Sequence, residues 1–316
     1  MSIFISVASY RDPSLWATIA DALAQAEQPS KLHFSVVDQS SEACEPPADL
    51  VKQAGSLRYL HLHHRFSRGP CWARSIASSY HQDEKYFLQI DAHMLFDRHW
   101  DRLLIDQIDA LSARNPRAII STYPAPYEVI DGQAVRKPFP GRALVLELKP
   151  DSVMSEESPV LGFRSRPVRT DQAVAGFHVG AGCLFAHSAL IAEVPYDPWI
   201  YFQGEEQNLA VRAWTRGWDI HHTPDMPIYH LYHSGNGRPV HWAKDDDVSR
   251  PVRWWELDRN SKARMRALLY QRADLGAYGL GKVRSLAEFA EFSGIDYIHR
   301  TCNAGKQHAA ALQASP

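Results

Sequence analysis

The sequence predicts an α/β fold in which a mainly parallel central sheet is flanked by helices. Along residues 1–122, short runs rich in β-forming residues alternate with segments whose apolar residues recur at helical spacing. Strand–helix–strand order of this kind produces parallel strands joined by right-handed crossovers. A chain of 316 residues can bury a large core, as one big domain or as two smaller ones.

The bulk composition argues against several classes of protein. A formal net charge of −2 gives no general attraction to nucleic acid or to anionic membranes. The four cysteines form no CxxC pair, which argues against a disulfide framework or a structural zinc site and suits a reducing compartment. Neither a signal peptide nor an apolar run of membrane-spanning length is recognisable. We therefore expect a cytoplasmic protein with no membrane span and no nucleic-acid partner.

The predicted elements alternate from the first residues onward. Strands are expected at 3–8, 32–37, 57–62, 86–90 and 118–122. Helices are expected at 15–26, just before 57, from 70 to about 80, and at 100–113. Asp12 and Pro13 suit the start of the first helix, because aspartate caps helix N-termini and proline fits a first turn.

Polar side chains follow three of these strands, at the edge where ligands of parallel sheets gather. Tyr10 and Arg11 follow the first strand, and Asp38 ends the second. Asp91 and His93 follow the strand at 86–90. Alternate residues of an extended chain point to the same side, so this carboxylate and imidazole can share one divalent cation. The imidazole favours Mn²⁺ over Ca²⁺. Taken alone, the pair is as consistent with chance polar residues at a strand end.

The next segments each have two interpretations. Arg68 lies just before Gly69-Pro70, and Arg74 lies one turn inside the helix that follows; they are either surface residues or reach a phosphate or ligand carboxylate. The proline-dotted segment 124–176 is either a lid or recognition surface, or an ordered connection with short edge strands. The glycine-punctuated segment 176–186 allows close approach to a flat ligand, or forms a bulged strand.

The carboxyl-terminal half adds acidic residues and histidines. Glu205 and Glu206 begin a predicted helix that Gly217 ends, and acidic residues there commonly complement the helix dipole instead of serving a site. His230 and His233 follow a short apolar run, where a lone histidine is more often structural than a ligand. Further helices are expected at 254–270 and 285–292.

Considered together, these stretches resemble glycosyltransferases of the GT-A fold, a Rossmann-like α/β fold. The general resemblance is to the group that contains the polypeptide N-acetylgalactosaminyltransferases. The local sequence motifs resemble those of the related GlcNAc-transferase family, glycosyltransferase family 60. Four motifs carry the resemblance: the first strand with Tyr10-Arg11-Asp12, the helix start Gly69-Pro-Cys-Trp-Ala-Arg74, the DxH form of a metal-binding DxD motif in Gln89-Ile-Asp-Ala-His-Met94, and Phe202-Gln-Gly-Glu-Glu206 followed by His230. The last motif resembles Trp-Gly-Gly-Glu-Asn, from which Phe202, Gln203 and Glu206 depart.

The resemblance implies an activity and a set of site residues. It implies retaining transfer of a sugar, most simply GlcNAc from UDP-GlcNAc, to a hydroxyl of a polypeptide (Ser, Thr or hydroxyproline) or of a glycan. Its metal ligands would be Asp91, His93 and His230, binding Mn²⁺ or Mg²⁺. Its catalytic residues would be Glu205 and Glu206. The donor would be contacted by Tyr10, Arg11, Asp38, Arg74, Asp91 and His233. The implied domains are a GT-A domain at 1–245, a helical extension packed on it at 246–302, and a disordered tail at 303–316.

Two other functions stay open at this point. A catalytically silent protein that binds a nucleotide-sugar or a glycan would use the same residues without turnover. A metallohydrolase would need a metal-bound water and a nearby general base. Release of UDP from sugar donors separates an enzyme from a silent binder, and hydrolysis without any acceptor favours the hydrolase.

Overall fold

The computed structural model describes residues 1–232, 239–243 and 248–303. Its strands are β1 (Ile3–Tyr10), β2 (Leu32–Gln39), β3 (Ser56–His61), β4 (Tyr86–Asp91), β5 (Met94–Phe96), β6 (Ala118–Ser121), β7 (Ala125–Ile130), β8 (Gln133–Arg136), β9 (Arg142–Leu148), β10 (Phe163–Arg169), β11 (Val174–Gly176), β12 (Cys183–His187), β13 (Asp219–His222), β14 (Ile228–His230), β15 (Ile295–Asp296) and β16 (Thr301–Cys302). Its α-helices are α1 (Leu15–Gln25), α2 (Ala48–Gln53), α3 (Pro70–Ser78), α4 (Trp100–Ser112), α5 (Ala189–Glu193), α6 (Glu205–Thr215), α7 (Trp254–Leu269) and α8 (Leu286–Ser293). None of the helices in these ranges is both long and apolar enough to cross a membrane.

An eight-stranded sheet forms the centre of the molecule, in the order β11-β13-β6-β12-β4-β1-β2-β3. Strands β4, β1, β2 and β3 are mutually parallel, and β13 is parallel to β6. Strand β12 enters antiparallel between β4 and β6, and β11 is an antiparallel edge strand. The five strands predicted in residues 1–122 are β1, β2, β3, β4 and β6, so the predicted α/β class is confirmed.

Alternation along β1 divides the core into two layers. Ile3, Ile5 and Val7 pack against apolar residues of α1 and α4 on one face of the sheet. Phe4 points to the opposite face, into a cluster that includes residues of α6, α7 and α8. This is the period-two pattern expected of a strand that is buried on both sides. The carboxyl-terminal helices thus pack into the same core as the sheet, while the proposed boundary at residue 245 stays a prediction.

The segment 124–176 is an ordered connection built from short strands. Strands β7 and β8 form a hairpin that joins β5 and β14 in a second sheet of order β5-β14-β7-β8. Strands β9 and β10 form a separate antiparallel pair, which ends beside the cavity described below. Helix α6 also agrees with its prediction, because it is followed by Gly217 with a positive φ of 86°. A residue in that conformation ends a helix, and glycine adopts it without steric cost.

Candidate active site

Three strands bring two histidines and an aspartate together at one edge of the central sheet. Strand β4 ends at Asp91, and His93 lies in the short turn before β5. Strand β14 pairs antiparallel with β5 in a register that sets His230 opposite Met94. As a result, one ligand atom from each of Asp91, His93 and His230 lies within 4.8 Å of the other two. Within the described ranges this is a group that could hold a metal ion.

The separations between these ligand atoms fit a bound cation. The two Nε2 atoms of His93 and His230 are 2.9 Å apart, and His230 Nε2 lies 3.1 Å from Oδ2 of Asp91. The third separation, between His93 Nε2 and the same oxygen, is 3.9 Å. Two ligands at right angles around an ion with bonds of ~2.1 Å lie ~3 Å apart. One carboxylate with two imidazoles is also a donor set that suits Mn²⁺ and similar ions.

A buried arginine joins this cluster to the glutamates of α6. The guanidinium of Arg74 donates to Oδ1 of Asp91 at 2.6 Å and, through its other terminal nitrogen, to Oε1 of Glu205. Only 3% of the Arg74 side chain is exposed, so the interpretation of Arg74 as a surface residue is wrong. Arg68, by contrast, is exposed. Contact of Arg74 with the donor stays a prediction, because its described partners here are carboxylates of the protein.

The electrostatics of Asp91 favour the ionised form that a metal ligand needs. Burial is the largest influence on its pKa and by itself would raise it. The hydrogen bond with His230 and the charge of Arg74 outweigh burial and hold the pKa of Asp91 well below its usual value. Glu205 differs, because burial raises its pKa in spite of the opposing charge of Arg74.

Both glutamates line a cavity of about 300 Å³. Asp91 and His230 also line it, and together with His93 these two residues form what we call the metal-type cluster. Glu205 accepts a hydrogen bond from the hydroxyl of Tyr196 at 2.6 Å in addition to that from Arg74. Glu206 accepts from the hydroxyl of Tyr123 and, at 2.9 Å, from the backbone N–H of Ala181. These contacts hold the two carboxylates in fixed orientations. Acidic residues that only complement a helix dipole need no such side-chain partners, so these two glutamates do more than complement the dipole.

The residues expected to bind the nucleotide lie at the same edge of the sheet. Ser9 pairs with Asp38 and Ala8 pairs with Asp91, so the two aspartates flank the end of β1. The carboxylate of Asp38 accepts hydrogen bonds from Ser40 at 2.7 Å and from Tyr59 at 3.0 Å. Tyr10 is the last residue of β1 and Arg11 follows it, and neither residue lines the 300 Å³ cavity. His233 lies outside the described residues. The roles of all four residues stay predictions.

The segment 176–186 contributes to the cavity through its backbone. Ala181 and Gly182 line it, and β12 begins only at Cys183. A Cβ atom on Gly182 would lie 2.6 Å from Oδ2 of Asp91, and one on Gly180 would lie 2.2 Å from the carbonyl oxygen of Thr122. The close approaches that these glycines permit are therefore to protein atoms.

Sequence reasoning missed several residues of the site. Tyr123 and Tyr196 hold the glutamates, and His178 stacks on Phe163 with its Nε2 3.4 Å from Glu206. Tyrosines and a histidine in irregular segments carry no motif, so only the folded chain identifies them. Asp12 was expected only as a helix cap. That expectation is wrong, because α1 begins at Leu15 after the N-cap residue Ser14 and has no side-chain capping bond. One oxygen of Asp12 accepts the N–H of Ser14 at 2.8 Å, and the other contacts His93.

The fold is that of the GT-A glycosyltransferases, and comparison with known proteins agrees. A family model described as "Glycosyltransferase (GlcNAc)" matches residues 2–55 and 48–299. The chain therefore belongs to the GlcNAc glycosyltransferase family, and the resemblance seen in the motifs is confirmed. No curated protein matches the chain.

Among solved structures, GalNAc-T7 with UDP, GalNAc and Mn²⁺ is similar with a TM-score of 0.59 and 13% identity. The similarity covers 92% of this chain and 56% of that chain, so this chain spans little more than half the length of that protein. S. aureus TarS 1-349 has a TM-score of 0.42 and 13% identity, over 84% of this chain and 72% of that chain. At such identities the likeness to GalNAc-T7 supports the fold alone.

Proposed function

We propose that the protein is a metal-dependent retaining glycosyltransferase that moves GlcNAc from UDP-GlcNAc to a hydroxyl group of a polypeptide or a glycan. One observation carries the metal dependence. Among the residues that the structure describes, the cavity is lined by three carboxylates, those of Asp91, Glu205 and Glu206, and by one arginine, Arg74, which is already paired with two of them. These carboxylates would repel an anionic diphosphate, and a bound divalent cation would compensate that repulsion.

Asp91, His93 and His230 would hold that cation, Mn²⁺ or Mg²⁺. When bound, it supplies positive charge that neutralises the diphosphate leaving group as the sugar departs. Structural support comes from the fit of the three ligand atoms. Further support is the presence of UDP and Mn²⁺ with the GalNAc-T7 structure. Tyr10, Arg11 and Asp38 would contact the uridine at the neighbouring strand ends, and His233 would contact the diphosphate.

The glutamates would bind the sugar and the acceptor. Oε1 of Glu205 is shared by Arg74 and Tyr196, which fixes the carboxylate as a hydrogen-bond acceptor. This bonding supports a role in holding sugar hydroxyls and not one as a nucleophile. Glu206 would hold hydroxyls beside it. Retention then requires the acceptor to attack on the face that the diphosphate leaves, and the departing diphosphate takes the acceptor proton.

A donor screen tests the proposal. The protein is incubated with UDP-sugars, a lysate of candidate acceptors and Mn²⁺ or Mg²⁺, and UDP release and transferred mass are measured. We expect release with UDP-GlcNAc that EDTA abolishes, and a mass increase on the recipient. UDP should also raise the thermal midpoint only when the metal is present, by mass action on the native state. Equal protection in excess EDTA would contradict the metal-bridged site, and release without transfer would favour a hydrolase.

A cytoplasmic location is part of the same proposal. All four cysteines, Cys44, Cys71, Cys183 and Cys302, are free thiols, which supports a reducing compartment.

A further inference from the structure

The side chain of Asp12 contacts His93, one of the three expected metal ligands, at the ring nitrogen that does not face the other two ligands. Asp12 lies between β1 and α1, with 8% of its side chain exposed. Its Oδ2 lies 2.8 Å from Nδ1 of His93, and its Oδ1 accepts the backbone N–H of Ser14, also at 2.8 Å. One oxygen therefore contacts a ring nitrogen of His93 and the other accepts a backbone N–H, which together fix the orientation of the carboxylate.

This arrangement determines which nitrogen of His93 carries the proton. An ionised carboxylate can only accept hydrogen bonds, so the ring donates to Asp12 through Nδ1. Nε2 of the neutral ring is then unprotonated, and it is the atom that faces Nε2 of His230 and Oδ2 of Asp91. A metal ion binds only an unprotonated ring nitrogen.

We propose that Asp12 is a positioning residue for the cation, which acts by selecting the metal-binding tautomer of His93 and by fixing its ring. The inference rests on the proposed function, because it requires a divalent ion between Asp91, His93 and His230. It assigns a role to Asp12 that its position before a helix does not suggest. In this role Asp12 acts through His93 and is not one of the three expected metal ligands.

The bonding pattern distinguishes this role from helix capping. In Asp12→Asn the one side-chain oxygen can satisfy only one of the two N–H donors. The backbone N–H of Ser14 is always a donor, whereas the ring of His93 can move its proton, so the amide oxygen faces Ser14. The amide NH₂ then faces Nδ1 of His93 and stabilises the tautomer protonated at Nε2, and that nitrogen cannot bind the ion. In Asp12→Ala no side-chain group opposes either tautomer. The asparagine variant should therefore bind the metal more weakly than the alanine variant.

Electron paramagnetic resonance of free Mn²⁺, with no donor present, tests this order. We expect Asp12→Asn to raise the Mn²⁺ dissociation constant 10- to 100-fold, the usual effect of changing a residue that supports a metal ligand. Asp12→Ala should raise it by less. Asp101→Asn is the matched control, because Asp101 is also buried and accepts two backbone N–H groups, from Glu27 at 2.8 Å and Gln28 at 3.0 Å. It should leave the dissociation constant unchanged.

The outcomes separate this inference from the proposed function. If the wild-type protein binds no Mn²⁺, the proposed metal site is wrong. If the wild-type protein binds Mn²⁺ and the asparagine variant binds it equally well, or better than the alanine variant, only the role of Asp12 is overturned.

A second measurement needs no altered Asp12. In metal-free wild-type protein labelled with ¹⁵N-histidine, the resonances that disappear in His93→Gln belong to His93. Their shifts should report a proton on Nδ1. A proton on Nε2 would overturn the assignment even if both Asp12 variants failed to fold.

Discussion

At the scale of single residues, a few buried ion pairs fix the site. Arg74 contacts both Asp91, an expected metal ligand, and Glu205, an expected sugar ligand. A buried charge left without its partner is costly, so these three side chains are held in position together. One arginine thus ties the metal end of the cavity to the glutamate end. A substitution of any one of these three residues should therefore shift the side chains of the other two.

Glu205→Gln tests the division of roles within this group. The glutamine retains the shape and can still accept from Arg74 and Tyr196, but it lacks the charge that strengthens bonds to sugar hydroxyls. We expect kcat to fall about 10- to 100-fold, while the dissociation constant of UDP in Mn²⁺ changes little. Rates of UDP release and calorimetric titration with UDP measure the two effects, and thermal melting controls for folding. Loss of UDP binding by a folded variant would assign Glu205 to the nucleotide site.

At the scale of elements, strand ends and one close approach place the metal ligands. The register of β14 on β5 puts His230 beside the ends of β4 and β1. From the other side, the backbone before β12 presses against Asp91 at Gly182, where no side chain intervenes. The carboxylate of Asp91 is therefore confined between Gly182, His230 and Arg74. Its position depends on three elements that are distant in the sequence.

Gly182→Ala should move this carboxylate without unfolding the chain. The added Cβ would lie 2.6 Å from Oδ2 of Asp91, which is the end of a side chain and can shift. We expect Mn²⁺ affinity to fall by about tenfold or more, with a thermal midpoint close to that of the wild-type protein. Gly162→Ala is the control, because the atoms nearest to its Cβ would be side-chain atoms of Lys149 and Ser152, at 3.2 Å. Unchanged Mn²⁺ affinity in Gly182→Ala would mean that Asp91 is not a ligand in this position.

At the scale of the whole molecule, the sequence predicted what local patterns encode. Apolar runs and helical spacing predicted the strands of the sheet, and alternation along an extended chain predicted that Asp91 and His93 converge. His230 entered only through the resemblance to a family, since its approach depends on the pairing of β14 with β5. Tyr123, which anchors Glu206, depends wholly on tertiary packing. No local pattern marks such a contact before the chain is folded.

A buried histidine of the central sheet, His222, makes the stability of the protein depend on pH. His222, on β13, is fully buried, and its Nδ1 donates to the carbonyl of Ser121 at 2.7 Å. Its Nε2 accepts the N–H of Leu146 at 3.4 Å, so both ring nitrogens are committed in the neutral form. Burial lowers the pKa of His222 to about 4. A proton on Nε2 would oppose the N–H of Leu146.

We therefore expect the free energy of unfolding to decrease as the pH falls from about 6.5 to about 4. Above this window the ring is neutral in both states; within it, the unfolded chain binds a proton that the folded chain excludes. The full shift corresponds to roughly 3 kcal/mol. Urea unfolding at several pH values gives the free energy of unfolding as a function of pH. Between about pH 6.5 and 4 its slope should be smaller in His222→Asn, by the amount that corresponds to about one bound proton. His299→Asn, which changes a histidine with 76% of its side chain exposed, is the control. An unaltered slope in His222→Asn would show that another group is responsible.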